Sequence, residues 1–305
     1  MKTYLCCMGA LFASFILLPS LAFSGGSAAP EEEPKSEETP DEITLIDGAE
    51  EKKLSLEDYI EGVVLAEMPA SYNEEALKAQ AVAARTYAVN KMHSHVHEGG
   101  ALCTDFSCCQ AYISPENYTG GEDNLSKVKK AVSETKGVIM TYDGEPITAV
   151  FHSMSAGKTA AASDVWGSDV PYLKSVDSSL ERTEENYETT VTVPITEFTG
   201  KLASLSSDYK GGLTIPPPER DSGGYVKRIT IGSVTFSGNA IRNLFSLRST
   251  NFNLGFSDGY AVFTVRGYGH GVGMSQHGAN LLAEKGENYK EILKTYYTGI
   301  KFDRI

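Results

Sequence analysis

Between Leu56 and Asn90 the chain reads L-E-D-Y-I-E-G-V-V-L-A-E-M-P-A-S-Y-N-E-E-A-L-K-A-Q-A-V-A-A-R-T-Y-A-V-N. Pro69 divides this stretch into two helices, because a residue that precedes proline is driven out of the α region. The first helix has a start signal in Ser55, acids Glu57 and Asp58 in its first turn, and an apolar stripe of Leu56, Tyr59, Ile60, Val63 and Val64. It must stop by Met68. Ser71 and Glu74 then fit a capping box for the second helix. Glu67 therefore falls in the last turn of the first helix, at the negative end of its dipole. Partial burial beside Met68 and Pro69 would disfavour the anion further. Both effects keep a carboxyl protonated near neutral pH, as a general acid requires. The plain alternative is a solvated helix-terminal glutamate.

The second helix carries Ala76, Ala79, Ala81, Ala83, Ala84 and Ala88 on most of its faces. A helix so small all round is buried, with other backbones packed close to it. It also carries Lys78, Gln80 and Arg85, and polar groups on a buried helix need partners. Arg85 has two readings: a polar ligand's partner, or half of a structural ion pair.

A chain of 305 residues with 41% hydrophobic content can bury a sizeable core. Its formal net charge of −13 argues against nucleic acid or an anionic membrane surface as main partner, since counterion release needs a basic patch. A neutral sugar suits it better. Residues 1–24 read as a secretory signal peptide or membrane anchor: Lys2 precedes an apolar run, and small residues surround Ser24. Localisation is then extracytoplasmic, anchored or secreted. Residues 25–51 read as a disordered acidic linker, because residues 31–42 hold seven acids, one lysine and two prolines.

After the helix pair come His93, His95 and His97, then Cys103, Cys108 and Cys109. A disulfide is the default outside the cell. Three cysteines leave one over, however, and adjacent Cys108 and Cys109 make poor partners for each other. A tetrahedral metal site of three thiolates and an imidazole is the competing reading. A short helix over 126–136 and a hairpin over 137–151 follow, turned at Asp143-Gly144. The hairpin delivers His152, Ser153 and Ser155 in an H-S-x-S-x-G string, with Trp166 beyond. A polar cluster leaving a strand into a glycine-containing loop is a place for binding groups. A serine nucleophile is disfavoured, because no G-x-S-x-G elbow surrounds either serine. Residues 178–258 read as a smaller inserted lobe, with strands over 187–198 and 225–236 and a helix over 237–247. A strand over 260–266 runs into G-Y-G-H-G-V-G-M-S-Q-H-G, whose alternate glycines permit close backbone approach to a ligand. Tyr268 and His270 are the side chains this loop offers. Helices over 275–285 and 288–297 close the chain. The class is α+β: a helix pair packed with mixed and antiparallel strands over 52–305, with the lobe inserted.

The strings E-M-P-A and E-A-L-K-A-Q-A-V-A-A-R-T-Y, the H-S-x-S-x-G block and the glycine-rich block together resemble the stage II sporulation protein D family, over roughly residues 54–302. The resemblance implies a lytic transglycosylase that cuts peptidoglycan glycan strands. In the family the glutamate of the E-M-P string, here Glu67, is the catalytic acid. Arg85, His152, Ser153, Ser155, Tyr268 and His270 are candidate substrate-binding residues by their positions in these blocks. Some members bind zinc through two histidines and two cysteines just before Q-A-Y. Here Cys108 stands where one histidine would be, so the implied set is a structural Zn²⁺ site of His97, Cys103, Cys108 and Cys109. His93 or His95 could replace His97. The family acts on strands whose peptides an amidase has removed, so a cell-wall amidase is the implied partner, in sporulation and engulfment. Two other classes remain open: a zinc-dependent hydrolase, and a non-catalytic glycan-binding scaffold that activates another wall enzyme.

Overall fold

The computed structural model describes residues 42–305. The signal or anchor reading and most of the acidic linker lie outside the described residues. Among the described residues no helix is long and apolar enough to cross a membrane. The described chain opens with an antiparallel hairpin of β1 (Glu42–Asp47) and β2 (Glu50–Ser55). This corrects the linker expectation, which ran to residue 51. Ile43 and Leu45 alternate along β1 and both are buried, so one face of an acidic strand still enters the core.

The helix pair forms as α1 (Leu56–Glu67) and α2 (Glu74–His93). Ser55 caps α1 by accepting from the Asp58 amide at 3.1 Å, and Met68 leaves the helix in extended conformation. The cap of α2 is Asn73, not the expected Ser71: its side chain accepts from the Glu75 amide at 3.0 Å. Residues 69–72 are consumed in a turn closed by the Tyr72 amide on the Pro69 carbonyl. Ser71 is therefore a turn residue, and the next cap-forming side chain takes the role. As its alanines require, α2 is buried along nearly its whole length.

The chain then forms β3 (Leu102–Cys103), parallel to β1, and α3 (Glu122–Glu134), which starts four residues before the expected 126. The hairpin of β4 (Val138–Tyr142) and β5 (Glu145–Pro146) turns at Asp143 and Gly144, both at positive φ. Two short elements follow, β6 (Phe151–His152) and α4 (Ala162–Trp166).

A second lobe has its own core around Phe198, Phe245, Phe252 and Phe263. It contains β7 (Glu188–Pro194), α5 (Ile195–Leu205), β8 (Glu219–Arg220), β9 (Val226–Ile231), β10 (Val234–Ser237), α6 (Gly238–Leu244), β11 (Phe252–Ser257) and β12 (Tyr260–Arg266). The strands form two antiparallel sheets, β11-β12-β7 and β10-β9-β8. The strand expected over 187–198 ends at Pro194, where α5 begins. The one expected over 225–236 is a hairpin, turned near Gly232.

The chain returns through β13 (Met274–Ser275), α7 (Gln276–Glu284), α8 (Tyr289–Tyr296) and β14 (Lys301–Arg304). Two pairings matter for function. β14 lies against β4, and β13 runs parallel to β6, with Ser275 beside His152. The second pairing joins the H-S-x-S-x-G and glycine-rich blocks, which are about 120 residues apart in sequence. α2 packs against α1, α3, α7, α8 and β4, so the fold is α+β with α2 at its centre.

Candidate functional site

Glu67 ends α1 and is half-buried. Its Oε1 accepts a hydrogen bond from the Ala111 amide at 3.0 Å. Its Oε2 has no protein partner among the described residues. Burial raises its pKa above the ordinary glutamate value, and the Ala111 amide offsets this in part. The Glu67 carbonyl accepts from Gln276 Nε2 at 3.0 Å, and the same nitrogen reaches Gln80 Oε1 at 3.3 Å. The end of α1 is thereby pinned by α7 and α2 together.

Glu67 opens into a pocket of roughly 230 Å³, which it shares with His270, Gln110, Tyr87 and Phe106. His270 arrives on the glycine-rich loop. Gly267, Gly269, Gly271 and Gly273 all have positive φ, between 72° and 113°. All four also leave no room for a side chain: an added Cβ would lie within 2.8 Å of a neighbouring heavy atom at each. A Cβ on Gly269 would lie 2.8 Å from the Cβ of His152, and one on Gly273 would lie 2.0 Å from the Val150 carbonyl oxygen. His270 Nδ1 accepts from the Val272 amide at 3.1 Å, which leaves the proton on Nε2. Burial, aided by Arg242, pushes its pKa down to about 4, so the ring is neutral near pH 7.

His152 stands behind His270, with ring centroids 5.7 Å apart. It is buried and donates from Nδ1 to the Val272 carbonyl at 3.1 Å. Burial, then the neighbouring His270, pushes it down to about 3. It supports the His270 ring and does not line the pocket. Trp166, half exposed, places its ring 5.5 Å from His270 on another side.

Gln110 is 97% buried and lines the pocket, yet among the described residues neither its amide oxygen nor its amide nitrogen has a protein partner. A buried amide without partners carries a cost of about 1–3 kcal/mol per group. A sugar hydroxyl or N-acetyl group is the kind of ligand that would relieve it.

The loop carrying Gln110 and Ala111 is built by the cysteine cluster. His97, Cys103, Cys108 and Cys109 bring their donor atoms within 4.8 Å of one another. His97 Nε2 lies 3.3 Å from Cys108 Sγ. The three thiols are free in this structure. His93 and His95 are exposed and outside the cluster. Asp105 shapes the turn: its carbonyl accepts from the Cys108 and Cys109 amides at 3.0 and 2.8 Å. One imidazole and three thiolates suit Zn²⁺, whose arms of about 2.0–2.3 Å draw four donors into such a cage. A closed set of four leaves no position for a reacting water. Cys109 also lines the Glu67 pocket, so the cluster sets the wall that holds the Glu67 carboxyl.

Of the six expected binding residues only His270 lines the pocket. Arg85 is fully buried and grips Glu57 through two bonds, Nε to Oε1 at 2.9 Å and Nη2 to Oε2 at 2.5 Å, and it also caps the Val138 carbonyl at 3.2 Å. It is a structural ion pair with no open face. Ser155 is fully buried and donates to Glu181. Glu181 is itself buried and accepts from the Ser155 amide and from the hydroxyls of Ser155, Ser178 and Ser275. Ser153 is half-buried, and its carbonyl accepts from the His277 amide at 3.0 Å. Tyr268 is exposed, with the Arg248 guanidinium 4.6 Å above its ring. Neither lines the pocket.

A family model described as SpoIID, stage II sporulation protein, matches residues 49–142. Stage II sporulation protein D of Bacillus subtilis is 39% identical over 258 residues, covering 81% of this chain and 74% of that protein. The Bacillus amyloliquefaciens protein of the same name is equally similar, with 82% of this chain and 74% of that protein covered. The chain belongs to the stage II sporulation protein D family. Another relative, the amidase enhancer of B. subtilis, is 31% identical and aligns to 79% of this chain but only 39% of its own length. Within this family member, the E-M-P string, the alanine-rich helix and the glycine-rich block converge through Gln80 and Gln276 on Glu67.

Sequence reasoning missed Gln110, Gln276, Phe106 and Glu181. Gln110 lay in the Q-A-Y string and Gln276 in M-S-Q, so both had a local signal. Phe106 and Glu181 had none: one is an exposed loop aromatic, the other an acid among acids.

Proposed function

We propose that this chain is a peptidoglycan lytic transglycosylase with Glu67 as its acid and base. The observation that carries the reading is a single half-buried carboxyl, its pKa raised by burial, with one oxygen held by the Ala111 amide and the other open to a pocket shared with neutral His270. Water-consuming glycosidases use two carboxylates. Among the described residues no second carboxylate lines this pocket. A transglycosylase needs one. Glu67 protonates the glycosidic oxygen between N-acetylmuramic acid and N-acetylglucosamine, and that bond breaks. The C6 hydroxyl of the muramyl sugar attacks its own C1, and ionised Glu67 takes the hydroxyl proton. The product is a 1,6-anhydro end, and no water is consumed. The edge of the His270 ring and the Gln110 amide line the pocket and would meet the hydroxyl and acetamido groups of a bound sugar. Exposed Phe106 and Trp166 offer apolar faces to the sugar rings.

In this reading His97, Cys103, Cys108 and Cys109 hold a structural Zn²⁺ that fixes the loop behind Glu67. The protein works outside the cytoplasm, by way of its N-terminal segment, in sporulation. The experiment is mass spectrometry of peptide-free glycan strands after incubation with the purified protein. Anhydro ends that vanish in Glu67→Gln support the reading. Intact strands with the unaltered protein overturn it. A second reading is favoured by the relative named amidase enhancer: a glycan-binding scaffold that stimulates a cell-wall amidase. Under it, Glu67→Gln leaves amidase stimulation untouched.

A further inference from the structure

A second cleft, of roughly 470 Å³, lies at the base of the inserted lobe. It shares no lining residue with the Glu67 pocket. Three guanidinium groups from three separate segments line it: Arg182, Arg220 and Arg266. In a chain of net charge −13 such a concentration calls for a reason.

Each arginine is placed by a specific contact. Arg182 follows Glu181, whose carboxylate is locked among serines, so its backbone is fixed. Its guanidinium lies against Gly157, where an added Cβ would sit 2.5 Å from Arg182 Nε. Gly157 has a φ of 90°, so the last glycine of the H-S-x-S-x-G block makes room for this side chain. Among the described residues Arg182 has no carboxylate or hydrogen-bond partner. Arg220 is oriented by the Gly224 and Phe252 carbonyls, at 2.7 Å each, and by Asn253 Oδ1 at 2.8 Å. Arg266 meets Glu188 through one contact of 2.9 Å. Asp221, next to Arg220, is occupied by the Gly223 and Tyr225 amides. Burial and then the charge of Arg266 lower the pKa of Arg220; the two cations are held together against their repulsion.

The cleft is close to the candidate active site along the chain. Arg266 precedes His270 by four residues, and Ala156 in the cleft follows His152 by four. Four residues span at most about 14 Å even when fully extended. A glycan strand lying over His270 would bring a neighbouring sugar to the arginines.

We infer that the arginine cleft binds the carboxylate of the lactyl group on muramic acid, and so reads strands from which the peptide has been removed. The inference rests on the glycan reading above. Amide hydrolysis at the lactyl group converts a neutral amide into a carboxylate on every stripped muramyl residue. Guanidinium groups bind carboxylates through paired, charge-assisted bonds. The cleft thus supplies a preference for peptide-free strands that the Glu67 pocket, lined by no arginine or lysine, lacks.

The test measures binding by the full chain carrying Glu67→Gln, so that strands stay intact. One probe is peptide-free glycan with free lactyl carboxylates. The second is the same glycan with those carboxylates converted to methylamides. Poly(glycerol phosphate) serves as a competitor. The expected result is binding of the carboxylate form tighter by about tenfold or more, the scale of one charge-assisted contact. Adding Arg182→Ala, a surface change that removes no structural bond, brings the carboxylate form down to the level of the methylamide. Equal binding of the two strands overturns the inference and leaves the glycan reading standing. So does a preference that survives Arg182→Ala, or loss of that preference with displacement by poly(glycerol phosphate), which would assign the cleft to phosphate. Failure to bind either strand overturns the glycan reading as well.

Discussion

Glu67 and Glu181 are the same residue type in the same chain, and burial raises the pKa of both. Their surroundings are opposite. Glu181 accepts four hydrogen bonds, three of them from serine hydroxyls, and has no access to solvent. Glu67 accepts one and keeps an oxygen open to a pocket. A buried carboxylate with every lone pair engaged is a structural tie. One left under-satisfied at a pocket is available for chemistry. A shifted pKa alone does not distinguish them; the count of partners does.

The widest separation between the two should be in catalysis. Glu67→Gln keeps shape and the Ala111 bond but removes the transferable proton. Release of anhydro ends should fall by at least about 10²-fold, the usual worth of a positioned acid, with the far-ultraviolet circular dichroism unchanged. Glu181→Gln should retain cleavage in proportion to the fraction folded. Comparable specific-activity losses in both, per folded molecule, would erase the distinction drawn between them.

The next contrast is in stability. Glu181→Ala strands the Ser155 amide and three hydroxyls in a dry site, and should cost about 3 kcal/mol by the scale of unsatisfied buried groups. Urea unfolding checks this. Glu57→Ala should cost about 3–5 kcal/mol, because it leaves the Arg85 guanidinium buried and unpaired. Both exceed anything expected at Glu67. A Glu57→Ala protein of unaltered stability would show that Arg85 has another outlet for its charge.

The cysteine cluster tests the link between structure and site. It holds the loop that donates the Ala111 amide to Glu67, so it acts on Glu67 and not on Glu181. If the cluster holds Zn²⁺ and Glu67 cleaves glycan as proposed, Cys109→Ser should lower the zinc content, cost about 2 kcal/mol of stability, and reduce cleavage by the protein that remains folded. A variant with full zinc content and full activity would separate the cluster from the loop's placement.

Much of this was legible because it is local. Ser55, Pro69 and the first-turn acids fix both ends of α1, and the four glycines at alternate positions correctly announce a positive-φ loop. What failed is non-local. Arg85 and Glu57 are 28 residues apart, and the Ser155 network joins residues 26 and 120 positions away. No window along the sequence contains such a pair, so the sequence leaves Arg85 between a ligand's partner and a structural ion pair, and leaves Ser155 reading as free to bind a ligand. Asn73 was lost to Ser71 for a different reason. Both can cap a helix, and only the turn over 69–72 decides between them. The hairpin of β1 and β2 was hidden by its acids, which lie on the exposed face.

The smallest effect concerns pH, and its sign follows from the direction of the shift. A folded-state pKa above the unfolded one means that the folded protein binds the proton more tightly. The stability Glu67 contributes is therefore fully present below its unfolded pKa, and is lost as pH rises through the folded value. Near pH 7 the unfolded chain gives up this proton more readily than the folded one, so Glu67→Gln should stabilise the protein by about 1 kcal/mol, as removal of a destabilised functional group commonly does. The gain should shrink as pH falls and the native carboxyl takes up its proton. His152 and His270 slope the other way. Their pKa values, lowered to about 3 and about 4, give stability that is present above the ordinary histidine value and lost as pH falls toward those numbers. Thermal melts of the unaltered protein and Glu67→Gln from pH 4 to pH 8 separate the two, because the histidine slope is common to both and cancels in the difference. A difference that grows toward acid would mean that Glu67 is held as an anion in the folded state, and with it the proton donor would be gone.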